Sequence, residues 1–254
     1  MISLQKIINE ELLKEEKHSK DNWWITDLSK CLRGAYYERQ GLEPDTPITD
    51  RVRRIFKVGK VFEEGITEIM KKREDLHLLP QERLELPEKH LTGKLDFSLT
   101  DNDNKKIAIV ELKTMHSNGF WYREREGFTA LPHHKEQLMM YMYLYGLKHD
   151  IKPEDIEGIV VYISKDDLAM MEIITPYQED IVKEALRKLD ILEEAWQKQI
   201  PPVIPKEIVF DEAKHKWIVN WTAKYCNYHK RCTGDNNWLA KAEAKVRKLN
   251  ENKT

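Results

Sequence analysis

The sequence predicts a mixed α/β fold: extended segments gathered between helical ones, followed by a C-terminal appendage that carries cysteines. Three observations carry this reading. Apolar residues recur at helical spacing near both ends of the chain. Between residues 76 and 114 three runs rich in strand formers are separated by proline or by the polar turn DNDN. Finally, QIPPVIPKE, residues 199–207, places three prolines between the last long amphipathic stretch and the final cysteines.

Taken in order, residues 3–17 read as a helix, and residues 26–40 as a second, opened by Thr26 as N-cap and closed near Gly41. Residues 50–74 form a longer helical pattern that tolerates Gly59 and Gly65. LHLLPQERLEL (76–86), LTGKLDFSLT (91–100) and KKIAIVELKT (105–114) read as strands, and residues 115–130 as a polar, aromatic loop. HHKEQLMMYMYLYGLK resumes helical character, EGIVVYISK and LAMMEIITP suggest a hairpin around KDD, and residues 177–198 form a last amphipathic helix. A boundary near residue 200 divides a main domain, 1–200, from a segment, 201–254, expected to pack on the N-terminal helices and to end in a helix.

Composition excludes several classes. With 41% hydrophobic and 34% charged residues, no apolar run approaches the roughly 20 residues a membrane helix needs. The N-terminus lacks the apolar block of a secretory signal, so a cytoplasmic location is expected. Three cysteines are too few for a disulfide framework. A net charge of −2 argues neither for nor against nucleic acid, which would need locally clustered Lys and Arg.

The candidate chemistry lies in residues 93–114. Alternation along a strand puts Leu95, Phe97 and Leu99 on one face and Asp96 on the other. In the next strand Val110 and Leu112 share the buried face, so Glu111 and Lys113 project together from the opposite one. An antiparallel pairing through DNDN brings Asp96 towards them. Such carboxylates suit a hard divalent cation, and a neighbouring lysine can orient water or steady charge on a phosphate. The same alternation is also what a half-exposed strand shows.

The motifs around these residues resemble the PD-(D/E)XK nucleases, within them the RecB-like exonucleases that include the CRISPR-associated iron–sulfur exonucleases. GKVFE places Glu63 where that family carries a metal-binding His or acidic residue, GKLD supplies Asp96, ELK supplies Glu111 and Lys113, and QLMMY supplies Gln137 and Tyr141. The resemblance implies a restriction-endonuclease-like core, a central mixed sheet flanked by helices, in which Glu63, Asp96 and Glu111 hold Mg²⁺ or Mn²⁺. Asp96, Glu111 and Lys113 are then the catalytic set, and Gln137 and Tyr141 support substrate. Tyr141, Tyr143 and Tyr145 lie in an aromatic helix that suits a core equally well, and His133 and His134 read as capping or surface residues.

SKCLRGAYYER, residues 29–39, resembles the N-terminal signature of the iron–sulfur branch, whose remaining cysteines near the C-terminus complete a cluster. Here the tail is C-x2-H-x2-C where the family has C-x2-C-x5-C. Cys31, Cys226, His229 and Cys232 suit a 4Fe–4S cluster with one imidazole ligand, favoured by the family context, or a tetrahedral zinc site; unlinked thiols are the alternative. Trp121, Arg123 and Arg125 combine rings that stack on bases with guanidinium groups that bind phosphate, or else anchor a surface loop. Arg51, Arg53, Arg54 and Lys57 form either a phosphate track or a solvated helix face. The expectation is a metal-dependent deoxyribonuclease, an exonuclease on single-stranded DNA or DNA ends, with no membrane partner and with unidentified protein partners. The alternative is a nucleic-acid-binding subunit of a recombination or CRISPR adaptation complex that does not cut; repair is a further setting.

Overall fold

The computed structural model describes residues 3–14, 21–125, 127–212 and 214–251. In chain order the described helices are α1 (Leu4–Lys14), α2 (Leu32–Arg39), α3 (Asp50–Met70), α4 (Ser117–Arg125), α5 (Pro132–His149), α6 (Glu179–Lys198), α7 (Trp221–Lys224), α8 (His229–Thr233) and α9 (Trp238–Glu251). The strands are β1 (Trp23–Trp24), β2 (Leu76–Pro80), β3 (Arg83–Leu86), β4 (Leu91–Lys94), β5 (Phe97–Asp101), β6 (Ile107–Met115), β7 (Ile156–Ser164), β8 (Met170–Ile174), β9 (Ile208–Asp211) and β10 (Lys216–Val219). Residues 15–17 of the expected first helix lie outside the described residues. No described helix is long and apolar enough to cross a membrane.

The chain forms two compact units. The first comprises residues 1–19 and 48–186, and the second residues 20–47 and 187–254, so the cysteine-bearing unit takes in an N-terminal segment as well as the tail. This division differs from the single boundary expected near residue 200.

The first unit is built on a mixed sheet of order β2-β5-β6-β7-β8. β6 and β7 run parallel, Ile107 opposite Ile156 through Met115 opposite Ser164, and the other pairs are antiparallel. A parallel pair needs a long crossover, and α4 and α5 supply it. The DNDN turn forms as expected: Asp101 Oδ1 accepts the amides of Asp103 at 2.8 Å and Asn104 at 3.2 Å, which fixes the β5–β6 register. Phe97, Val110, Leu112, Val161 and Ile163 form the core on one face, where Phe62 and Ile66 of α3 pack against them. Each such side chain contributes roughly 1.5–3 kcal/mol by leaving water. Thr49 caps α3, its hydroxyl accepting the Val52 amide.

The opposite face is covered by α5, whose Leu138, Met139, Met140 and Met142 are fully buried. The helix approaches β7 most closely at Gly158, where a Cβ would lie 2.7 Å from Met142 Sδ and 2.8 Å from the Thr175 carbonyl oxygen. Glycine is required there by proximity.

In the second unit Arg39 lies between two indoles, 4.2 Å from the Trp23 ring centroid and 4.4 Å from that of Trp196, and pairs with Glu193 at 3.3 Å. The guanidinium is thus buried with its charge compensated on three sides. A smaller core joins Ala223, Trp238 and Ala242 to Ile208 and Val219 of the β9–β10 hairpin. Thr26 is no helix cap: Asp27 accepts the Trp24 amide at 2.9 Å in a short 3₁₀ turn, and α2 starts only after Cys31.

Candidate active site and cysteine cluster

The two strands expected at 76–86 and 91–100 are each broken in two, and the breaks build the site. Gln81 adopts a left-handed backbone conformation, φ 57°. Its amide donates to the Asp96 carbonyl at 2.9 Å, and the Leu95 amide donates to the Glu82 carbonyl at 3.1 Å. Asp96 therefore occupies a corner between β4 and β5 instead of the middle of a strand. From that corner its Oδ2 accepts the Leu112 amide at 2.7 Å. The carboxylate is thereby fixed against β6 between Glu111 and Lys113.

Glu111 is 1% exposed, and its Oε1 accepts a hydrogen bond from Lys113 Nζ. Its Oε2 is buried and has no hydrogen-bond partner among the described residues. Glu63, on α3, accepts from the Gln81 side-chain amide. Gln81, which sequence reasoning missed, thus contacts both Glu63 and the Asp96 corner. Its only sequence signal was its place in PQE, directly after a proline.

The three carboxyls titrate together. Burial, then the Asp96 charge, pushes Glu111 up to about 8 against the pull of Lys113. Burial and Asp96 likewise push Glu63 up to about 7, opposed by Lys94 and Lys113. Burial raises Asp96 too, against Lys113 and the Leu112 amide. For Lys113, burial works to lower the ammonium, but Glu111 and Asp96 outweigh it and raise it. A buried acceptor with no donor and mutually repelling carboxyls are the surroundings a divalent cation relieves. The donor set therefore fits such an ion, although among the described residues no three His, Cys, Asp or Glu groups are already drawn to one coordination point.

Gln137 and Tyr141 are buried, and their polar ends do not face outward. Gln137 Nε2 donates to Tyr141 Oη at 3.1 Å, and Tyr141 donates to the Lys94 carbonyl at 2.9 Å. Their geometry supports a positioning role at the end of β4, two residues before Asp96, in place of the substrate contact expected for them.

The segment read as a loop at 115–130 contains α4. Trp121 is 41% exposed, with its Nε1 donating to Asp167 at 2.9 Å, and the Arg125 Nε donates to the Trp121 carbonyl. Arg123 faces inward far enough to act electrostatically on His133, His134 and Tyr162. The two histidines are neither caps nor free surface groups. Burial, with Lys113 the next cause, holds His133 down at about 4 and His134 at about 2, and His134 Nδ1 lies 2.9 Å from the Tyr162 hydroxyl.

In the second unit Cys31 is the N-cap of α2, and the amides of Arg33 and Gly34 hydrogen-bond its sulfur. A hydrogen bond from Cys226, partly opposed by burial, brings the Cys31 thiol down to about 7, while the same bond raises Cys226. His229 and Cys232 lie three residues apart on α8 and so share a face. All four expected ligands line one cavity of about 20 Å³, together with Trp238 and Ala223. A Cβ on Gly34 would stand 3.0 Å from Cys226 Sγ.

The family model for the PD-(D/E)XK nuclease superfamily matches residues 3–233. Among solved structures, SSO0001 is 24% identical over 91% of this chain and 94% of its own, with a TM-score of 0.49. The alkaline exonuclease LHK-Exo from Laribacter hongkongensis is 11% identical over 75% of this chain and 93% of its own, with a TM-score of 0.52, a likeness of fold. No match was found among curated proteins. The family match contains every motif residue placed above, the sheet carries Glu111 and Lys113 on one strand with Asp96 beside them, and on that evidence the chain belongs to the PD-(D/E)XK nuclease superfamily.

Proposed function

We propose that the chain is a Mg²⁺- or Mn²⁺-dependent deoxyribonuclease that works as an exonuclease on single-stranded DNA or DNA ends. Nucleases of this superfamily generally use divalent metal ions. The observation that carries the reading is the unpartnered Oε2 of Glu111, buried beside Lys113 and within electrostatic reach of Asp96 and Glu63. Relationship to the RecB-like branch is part of the proposal and rests on the positions of Cys31, Cys226 and Cys232.

When bound, the ion supplies a polarised phosphate and a water of lowered pKa. Glu63, Asp96 and Glu111 hold it. Asp96 keeps its place through the Leu112 amide, and Glu111 keeps Lys113 charged and oriented. That ammonium positions the attacking water and steadies charge on the phosphate oxygens. Tyr141 and Gln137 fix the end of β4. Trp121 offers a half-exposed ring for base stacking, and Arg123 and Arg125 neutralise flanking phosphates.

Labelled linear and circular single strands, incubated with Mn²⁺ and with a chelator control, test this directly. Linear DNA is expected to be shortened and circular DNA left intact. Lys113→Ala should abolish cleavage while DNA binding persists; undiminished cleavage by that variant rejects the assignment. A wild-type chain that binds DNA but cuts with neither ion favours the non-cutting subunit.

A further inference from the structure

We infer that Cys31, Cys226, His229 and Cys232 bind a single zinc ion that ties the two chain segments of the second unit together, and not an iron–sulfur cluster. The inference does not depend on the nuclease reading.

Four observations converge. The first is the tautomer of His229. Its Nδ1 lies 2.8 Å from the Cys226 carbonyl oxygen, and a carbonyl only accepts, so Nδ1 carries the proton. Nε2 is left with its lone pair, on a ring that lines the same cavity as the three sulfurs. A backbone carbonyl on the distal nitrogen is the usual outer support of a zinc-bound imidazole.

The second is size. A cavity of about 20 Å³ compares with the roughly 10–15 Å³ that one water requires. It has room for one atom, whereas a cubane brings eight.

The third is sulfur spacing. The Cys31 and Cys226 thiols hydrogen-bond each other. Two thiolates on one tetrahedral zinc, with Zn–S near 2.3 Å, stand about 3.8 Å apart, a separation that a thiol–thiol contact already approximates. In a cubane each cysteine binds a different iron and the sulfurs are held wider apart.

The fourth is close approach. Gly34 lets the first turn of α2 come within 3.0 Å of Cys226 Sγ, and the amides of Arg33 and Gly34 reach the Cys31 sulfur, the support an anionic thiolate needs. Three sulfurs and one imidazole at tetrahedral count form a common structural zinc set. Both chain segments contribute, Cys31 before the nuclease unit and the other three after it, so the ion crosslinks the second unit as a disulfide would.

The test is metal content of the full-length protein, purified anaerobically from cells supplied with both zinc and iron. Equimolar zinc with only trace iron is expected, and incubation with iron and sulfide should add no brown chromophore. Cobalt substitution should give the intense visible bands of a tetrahedral thiolate site. His229→Cys should keep the ion, while Cys226→Ser should lose most of it and unfold the second unit at lower temperature. If Cys226→Ser fails to fold, His229→Ala with at least tenfold weaker zinc retention serves instead. Stoichiometric iron and sulfide overturn the inference, and so does a folded wild-type chain that retains neither metal. Lys113→Ala should carry the same zinc as wild type, which keeps this outcome separate from that of the nuclease assay.

Discussion

Replacing Glu111 with Gln tests whether the site is held in electrostatic tension. In the unfolded chain this carboxyl ionises near its ordinary 4.5, and in the folded protein it keeps its proton to about 8. The raised value sets the sign. Between those limits the folded state binds the extra proton, so without added divalent ion stability falls as pH rises. The slope is about 1.4 kcal/mol per pH unit from this group alone, on the order of 3 kcal/mol between pH 5.5 and 7.5. Glutamine has the same shape and no ionisation, so Glu111→Gln should remove that slope and be the more stable protein at pH 7.5. Amide hydrogen exchange along β6 and β7, corrected for intrinsic rates, reads the opening of this sheet without interference from the other unit. Mg²⁺ or Mn²⁺ should flatten the wild-type slope, because it competes with protons for the same oxygens, and leave the variant unmoved. Equal slopes in the two metal-free proteins would refute the argument.

Tyr141→Phe removes the hydrogen bonds to Lys94 and Gln137; a loss of about 1–2 kcal/mol in β4–β5 protection is expected, with slower cleavage at unchanged DNA affinity. Gly158→Ala drives a methyl against the Thr175 carbonyl and Met142 and should cost about 1–3 kcal/mol in a denaturant titration. Arg39→Met leaves Glu193 uncompensated between Trp23 and Trp196 and should destabilise the second unit by roughly 3 kcal/mol or more. Thermal unfolding followed by tryptophan fluorescence measures that loss, and the Arg39→Met/Glu193→Gln double variant should recover part of it.

Much of the catalytic strand was legible because its alternation is strict: Val110 and Leu112 do enter the core with Phe97, and Glu111 and Lys113 do share the other face. The corner at Asp96 was not. LTGKLDFSLT alternates without interruption, and only the amide of Gln81 and the carbonyl of Glu82, distant in pattern though near in space, impose the bend. Helix α4 escaped because Phe120 is its only fully buried side chain, which leaves no apolar stripe to detect. The β9–β10 hairpin was read as linker since the residues between its strands include neither Gly nor Asn, the usual turn signals; His215 takes the left-handed conformation there instead. The roles of Gln137 and Tyr141 illustrate the same limit. Motif order locates them, but only burial shows that their polar ends are turned towards the backbone.

The second unit is assembled from residues 20–47 and 187–254, with the whole sheet of the first unit encoded between them. A ribosome therefore releases Cys31 and the Trp23–Arg39 segment long before their companions exist. At about 5–20 residues per second the wait is on the order of 10–40 s. During that interval the inserted unit has its complete sequence and can fold first, while the leading segment stays unassembled with an open thiol and two bare indoles. Nascent chains stalled ahead of Trp196 should consequently be the form of this protein that chaperones and thiol reagents find most readily.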